Sequence, residues 1–217
     1  MNFFQSKCFL MEVFEKFDDA VEMFKKNGLY NSIAAFGSAR IQPEDEHYKE
    51  IVEISKLCAE RIKKNNKKIS FMTGGGPAVM EAWLKGGYEV GIQTSGIGIV
   101  LPREQKMNKY CNDKYSCVFT TFAPRKQVFY EYSKAIIVFK GGFGTMDELF
   151  EALTLIATKR LRKLPIFVYP ADFYKDVFNF QTFLEANTIR QDEWDFLTMC
   201  KTKEQLLEEL YKIIDND

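Results

Sequence analysis

The sequence predicts an α/β fold in which a parallel β-sheet is covered by helices on both faces. Three observations predict it. Ala135-Ile136-Ile137-Val138-Phe139 is an unbroken apolar run, the pattern of a strand buried on both faces. A glycine turn, Gly141-Gly142-Phe143-Gly144, follows and leads into a segment whose apolar residues Leu149, Ala152, Leu153 and Ile156 recur at helical spacing. The same strand–glycine–helix unit occurs upstream, and strands alternate with helices along most of the 217 residues. That length suits one α/β domain over residues 1–217, with helices of about residues 5–27 and 203–214 packed on it.

From about Glu12 to Lys26, the positions Val13, Phe14, Phe17, Val21 and Phe24 mark an amphipathic helix, which Gly28 ends. Ser32–Phe36 is the first strand. Gly37-Ser38-Ala39-Arg40 lies at its carboxyl end, where open α/β sheets bind ligands, so Ser38 and Arg40 are placed to hold an anion. The same four residues also read as an ordinary loop. A second helix runs from His47 to Lys64, and His47, the one histidine, is expected to be solvated at its start. Ile69–Met72 is a strand, followed by Thr73-Gly74-Gly75-Gly76-Pro77. Pro77 suits the first position of a helix, which Gly86-Gly87 is expected to break. Gly96–Leu101 reads as a strand ended by Pro102, Lys106–Tyr115 as a polar loop, and Cys117–Thr121 as another strand. A helix begins at Phe122-Ala123-Pro124-Arg125-Lys126. Leu164–Pro170 is the last clear strand and Phe173–Ala186 looks helical. Thr202-x-x-Gln205 caps a final helix carrying Leu206, Leu207, Leu210, Ile213 and Ile214.

Composition narrows the function classes. Apolar residues make up 46% of the chain and aromatic residues 15%, which favours a packed core over disorder. Thirty basic and thirty acidic residues cancel, which argues against a broad nucleic-acid or membrane surface. The five cysteines are scattered with no CxxC pair, so neither a zinc site nor a disulfide framework is expected, and free thiols in a reducing cytoplasm are. The first residues lack the basic start of a signal peptide, and no apolar run approaches the roughly 20 residues of a membrane span. A single histidine disfavours histidine-rich metal chemistry and a Ser-His-Asp triad.

The glycine turns carry the chemistry. A glycine loop at a helix start offers free backbone N–H groups and the positive end of the helix dipole, a natural phosphate site. Thr145-x-x-Glu148 also reads as a capping box, with Thr145 opening the helix. The upstream turn is not a P-loop, since no Gly-Lys-Ser/Thr follows, and it lacks the G-x-G-x-x-G of a dinucleotide site, so hydride transfer is poorly supported. Arg125 and Lys126 fall in the first turn of their helix, facing the positive dipole end at a cost of roughly 0.3–1 kcal/mol each when exposed. An anion bound nearby would remove that conflict. Glu148 lies beside this phosphate-type loop.

GGGPAVMEA (74–82), RK (125–126) and KGGFGTMDE (140–148), with the apolar strands before them, resemble the motif set of the Lonely Guy (LOG) family: GGGPxxMEA, RK and PGGxGTxxE. GSAR (37–40) and VLPREQ (100–105) fit as well, and the resemblance runs from about Ile33 to Tyr169. It implies a Rossmann-like fold with the domain binding a nucleotide, and a homodimer or larger assembly. It also implies hydrolysis of the N-glycosidic bond of a nucleoside 5′-monophosphate, AMP or a cytokinin riboside monophosphate, to free base and ribose 5-phosphate. No cofactor, metal, nucleic acid or membrane is implied. Members have often been labelled lysine decarboxylases; this sequence has no histidine beside a cofactor lysine to support that label.

On this resemblance Arg125 and Glu148 are the catalytic pair. Gly141, Gly142, Gly144, Thr145, Ser38 and Lys126 bind the phosphate. Gly75, Gly76, Met80, Glu81 and Phe122 contact the ribose and base; Met80 and Phe122 read equally as core residues. Two residues depart from the family pattern: Lys140 stands where Pro is usual, adding charge near the phosphate, and Ala78 stands where Gly is frequent, at a position expected inside a helix. A non-catalytic nucleotide or molybdenum-cofactor-like carrier on the same fold is the alternative; it would need the glycine loops but not Arg125 and Glu148 together.

Overall fold

The computed structural model describes residues 3–100 and 106–216, with side chains from Phe14 onward. Helix α1 (Phe3–Asn27) ends at Gly28, whose φ of +66° suits a residue without a Cβ; the N–H groups of Gly28 and Leu29 bond back to the carbonyls of Lys25 and Phe24. The chain continues through β1 (Ser32–Phe36), α2 (Glu46–Lys64), β2 (Ser70–Thr73), α3 (Val79–Val90) and β3 (Thr94–Ile99). A 3₁₀ turn (Asp113–Tyr115) leads to β4 (Cys117–Phe119), α4 (Phe122–Tyr132), β5 (Ser133–Val138), α5 (Phe143–Ala157) and β6 (Ile166–Val168). The last elements are α6 (Ala171–Val177), α7 (Phe180–Glu185), α8 (Gln191–Trp194), β7 (Leu197–Met199) and α9 (Lys203–Asp215).

Among the described residues the strands form one seven-stranded sheet in the order β4-β3-β2-β1-β5-β6-β7, every pairing parallel. Alternate residues of each strand point to opposite faces. Ile33, Ala35, Phe71, Ala135, Ile137 and Phe139 therefore pack under α2, α3 and α9. Ala34, Phe36, Met72, Ile136, Val138 and Ile166 pack under α1, α4 and α5. This is the doubly wound, Rossmann-like α/β sheet expected from the apolar strands. From β1 the chain winds outward to β4, then returns to place β5 on the other side of β1. The carboxyl ends of β1 and β5 thus flank the point where strand order reverses, the usual ligand crevice of such sheets.

Several local expectations change. Gly86 and Gly87 do not break α3; they lie buried inside it. A Cβ on Gly86 would stand 2.5 Å from the Val52 carbonyl oxygen and 2.7 Å from the Lys56 nitrogen, and one on Gly87 would stand 2.5 Å from the Phe71 ring. The glycines let α3 approach α2 and the sheet closely, and Ser55 Oγ bonds the Trp83 carbonyl across that contact at 2.5 Å. The segment 173–186 is two helices, α6 and α7, parted at Phe178-Asn179. A seventh strand, Leu197–Met199, lies beyond the last one expected. β3 begins two residues earlier than its apolar run suggests, at Thr94, and residues 101–105 of VLPREQ, Pro102 included, lie outside the described residues.

His47 is buried rather than solvated, at 6% exposure, its ring 5.9 Å from Phe139 and 6.1 Å from Tyr169 between centroids. Burial, then the charge of Lys140, holds its pKa below the ordinary value. The first turn of α2 faces the carboxyl edge of the sheet, so an apolar-tolerant ring is drawn inward there. The final helix follows the sequence pattern: Thr202 Oγ1 accepts from the Gln205 N–H at 3.3 Å, and Gln205 Oε1 accepts from the Lys201 N–H at 2.8 Å.

Candidate active site

Three loops meet at the carboxyl ends of β1, β2 and β5. After β1, the Ser38 N–H donates to the Lys140 carbonyl at 2.9 Å, and the Ser38 carbonyl accepts from the Val79 N–H at 3.2 Å. One residue thereby ties the β5 loop to the start of α3. Its hydroxyl accepts from the Arg40 N–H at 3.0 Å. After β2, Gly75 adopts φ +74° and donates its N–H to Thr73 Oγ1 at 3.1 Å. Asn108 holds this turn from outside, donating its N–H to the Gly75 carbonyl and its Nδ2 to the Gly76 carbonyl, both at 2.8 Å.

Ala78 is not inside a helix. It occupies the N-cap of α3 with φ +61° and ψ −120°, left-handed backbone that favours glycine. α3 accordingly starts at Val79, after Pro77 rather than at it.

After β5, Gly142 is the N-cap of α5, and among the described residues no side-chain hydrogen bond caps that helix. Thr145 lies within the first turn, not at the cap, so the expected capping box with Glu148 does not form. Thr145 instead packs under the loop: a Cβ on Gly141 would stand 2.2 Å from Thr145 Oγ1. Among the described residues nothing lies within 4 Å of a Cβ built on Gly142 or Gly144.

Arg125 and Glu148 come together. Arg125 Nη1 stands 3.3 Å from Glu148 Oε1, with side-chain exposures of 8% and 14%. Arg125 Nε donates to the Ile97 carbonyl at 2.7 Å, and the guanidinium lies over the Phe129 ring at 5.1 Å. Met80 Sδ and Arg125 Nη2 both press on Gly74, at 3.0 and 2.4 Å from where its Cβ would be. Burial raises the Glu148 pKa to about 7 despite the opposing pull of Arg125, and burial lowers that of Arg125.

Lys126 is also buried. Its ammonium bonds Asp147 at 2.9 Å and pairs with Glu151. Tyr130 donates its hydroxyl to the Glu148 carbonyl at 3.0 Å. The two cations of α4 are therefore not exposed charges facing a helix dipole; carboxylates of α5 offset them. Glu81 accepts from the Tyr48 hydroxyl at 3.2 Å. Phe122 and Phe143, at the starts of α4 and α5, are 51% and 97% exposed.

Sequence reasoning missed Gly74, the Ile97 carbonyl, Tyr130, Asp147 and Glu151. A signal existed for the last three. Lys126 and Tyr130 are spaced i, i+4, as are Asp147 and Glu151, so each pair shares one helix face. Among the described residues no group of three or more His, Cys, Asp or Glu is arranged to hold a metal, and no helix is long and apolar enough to cross a membrane. An apolar pocket of about 270 Å³ between α5 and the 180–197 segment shares no residue with the Arg125–Glu148 cluster.

A family model described as "Possible lysine decarboxylase" matches residues 80–210, more than half of the chain. No curated protein matches. Among solved structures, the molybdenum cofactor binding protein of Rippkaea orientalis is similar with a TM-score of 0.57 at 18% identity, over 85% of this chain and 96% of that one. The Moco carrier protein of Chlamydomonas reinhardtii gives 0.55 at 17%, over 86% and 98%. The structural-genomics protein TM1055 gives 0.53 at 17%, over 84% and 99%. At these identities the likeness is one of fold.

Proposed function

The chain belongs to the family described as possible lysine decarboxylase, the Lonely Guy family, and we propose that it hydrolyses the N-glycosidic bond of a nucleoside 5′-monophosphate. One observation carries the reading: a buried arginine–carboxylate pair, Arg125 and Glu148, at 3.3 Å beside a helix start that no described side chain caps. In this reading the 5′-phosphate sits over Gly142, Gly144 and Thr145, where the backbone N–H groups of α5 and its dipole meet it. The open space around both glycines supports that placement. Gly75, Gly76, Met80 and Glu81 border the sugar and base.

The reaction asks three things of the protein. Positive charge growing on the ribose needs a carboxylate near the anomeric carbon, and ionised Glu148 supplies it. A water must attack that carbon, and the same carboxylate takes its proton. The C–N bond breaks with its electron pair going to the base, which receives a proton in turn. A group with a pKa of about 7 both accepts and returns a proton near neutrality. Arg125, held by the Ile97 carbonyl, fixes the carboxylate and faces the phosphate.

A second reading has a specific support: the similar structures include a molybdenum cofactor binding protein and a Moco carrier protein. A carrier would bind a phosphate-bearing ligand over the same turns without turnover. The deciding experiment incubates the purified protein with AMP and a panel of nucleoside 5′-monophosphates, beside Glu148→Gln. Free base and ribose 5-phosphate from the wild type, with a variant that binds but does not turn over, is the expected result. Binding without release from any member of the panel would turn the assignment to a carrier.

A further inference from the structure

We propose that Lys126 and Tyr130 are positioning residues for Glu148: they clamp the first turns of α5 against α4, so that its carboxylate stays within reach of Arg125. The proposal deepens the hydrolase reading and rests on it.

Asp147, Glu148 and Glu151 occupy adjacent positions on the α5 face toward α4. Lys126 Nζ reaches the outer two, Asp147 at 3.1 and 2.9 Å through its two oxygens and Glu151 through Oε2. One turn further along α4, the Tyr130 hydroxyl donates to the Glu148 carbonyl at 3.0 Å and lies 3.4 Å from Glu151 Oε2. Glu148 is thus held through its backbone by Tyr130, through its neighbours by Lys126, and at its carboxylate by Arg125.

Charge bookkeeping gives the clamp a second consequence. Three carboxylates within one helical turn repel one another, and two cations of α4 offset them. The groups facing Glu148 are Arg125 and Lys126, which favour its ionised form, and Asp147, which opposes it. Tyr130 and Glu151 complete the cluster, and Cys117 lies beside Arg125. An ammonium committed to two carboxylates is poorly free to grip a phosphate. The structure therefore separates the adjacent cations: Arg125 faces the reacting site, Lys126 sets its frame.

Removing the Lys126 charge should raise the pH at which Glu148 ionises. In Lys126→Met the acid limb of kcat/KM moves upward by about one pH unit, a shift ordinary for loss of a nearby opposite charge. KM for AMP at pH 9 stays within about twofold. Lys126→Arg restores the limb, and Tyr130→Phe lowers kcat with KM unchanged. A Lys126 that binds phosphate predicts the reverse, a large rise in KM with the acid limb unmoved, and that result overturns the proposal. Titrating ¹³C-carboxyl-labelled glutamate by NMR, with Glu148→Gln for assignment, follows the same ionisation without substrate. If the wild type hydrolyses no nucleotide, the hydrolase reading falls while this titration still decides the clamp: an unmoved Glu148 resonance in folded Lys126→Met overturns it.

Discussion

Gly74 and Arg125 share one space. A Cβ on Gly74 would stand 2.4 Å from Arg125 Nη2, so the guanidinium lies where any other residue would carry its side chain. The first of three consecutive glycines thus makes room for a cation brought from a helix far along the chain.

Gly74→Ala should therefore fold and lose catalysis. The obstructed atom is the far end of a flexible side chain, so the arginine swings aside at small cost to stability. Its pairing with Glu148 is lost, and a misplacement of about 1 Å at a reacting site costs on the order of 100-fold. We expect kcat for AMP hydrolysis to fall about that much, with the melting temperature within a few degrees of wild type. Steady-state kinetics beside calorimetry check it; a normal kcat would contradict the steric link.

Gly142→Ala and Gly144→Ala test the phosphate placement. Neither glycine has a left-handed φ, and a Cβ at either meets nothing within 4 Å among the described residues. The fold should not register the change. A phosphate lying on this turn should, with KM for AMP rising about tenfold, equivalent to roughly 1.4 kcal/mol. Unchanged KM in both variants would place the phosphate elsewhere.

Glu148 should link activity and stability in opposite directions. Folding lifts its pKa from the ordinary 4.5 to about 7, so the folded protein holds this proton more tightly than the unfolded chain. The resulting stabilisation is complete below pH ~4.5 and is lost as pH rises through about 7. Relative to Glu148→Gln, the wild type should lose about 3 kcal/mol of unfolding free energy across that window. kcat/KM should rise across it, because the proposed hydrolysis uses the ionised carboxylate. Urea unfolding of both proteins at pH 4.5 and 8 measures the first effect and a pH–rate profile the second. Parallel stability curves for the two proteins would contradict the buried, raised carboxyl.

Ala78→Gly should stabilise the protein. Alanine at φ +61° carries a strain of roughly 1–2 kcal/mol that glycine does not, against a cost of about 0.5–1 kcal/mol for glycine's greater freedom in the unfolded chain. A net gain of roughly 0.5–1 kcal/mol by urea unfolding is expected. A loss of stability would mean the alanine methyl packs more usefully than its backbone strains.

The legible parts of the fold were those decided by local chemistry. Apolar runs such as Ala135–Phe139 announced buried strands, Gly28 announced a left-handed helix end, and Thr202-x-x-Gln205 announced a cap that forms. The illegible parts were decided by neighbours distant in sequence. Gly86-Gly87 looks like a helix break until α2 is placed 2.5 Å from where a Cβ would be. β7 is three residues, Leu197-Thr198-Met199, and is a strand because β6 lies beside it. At the site, motif spacing pointed to Arg125 and Glu148, which the fold brings together. It did not reveal that Lys126 is occupied by Asp147 and Glu151, since those contacts arise from two helices meeting.

The Ile97 carbonyl that holds Arg125 belongs to β3, while Glu148 follows β5, and two strands, β2 and β1, lie between them. The Arg125–Glu148 pair is consequently anchored across the middle of the sheet rather than on one loop. A ligand bound there draws on the free energy of four adjacent strands at once, so it should slow hydrogen exchange at buried amides of the central sheet and not only at the turns it touches. A cut of the chain between Arg125 and Glu148 likewise puts the two side chains on separate fragments, which can meet only once the sheet has assembled.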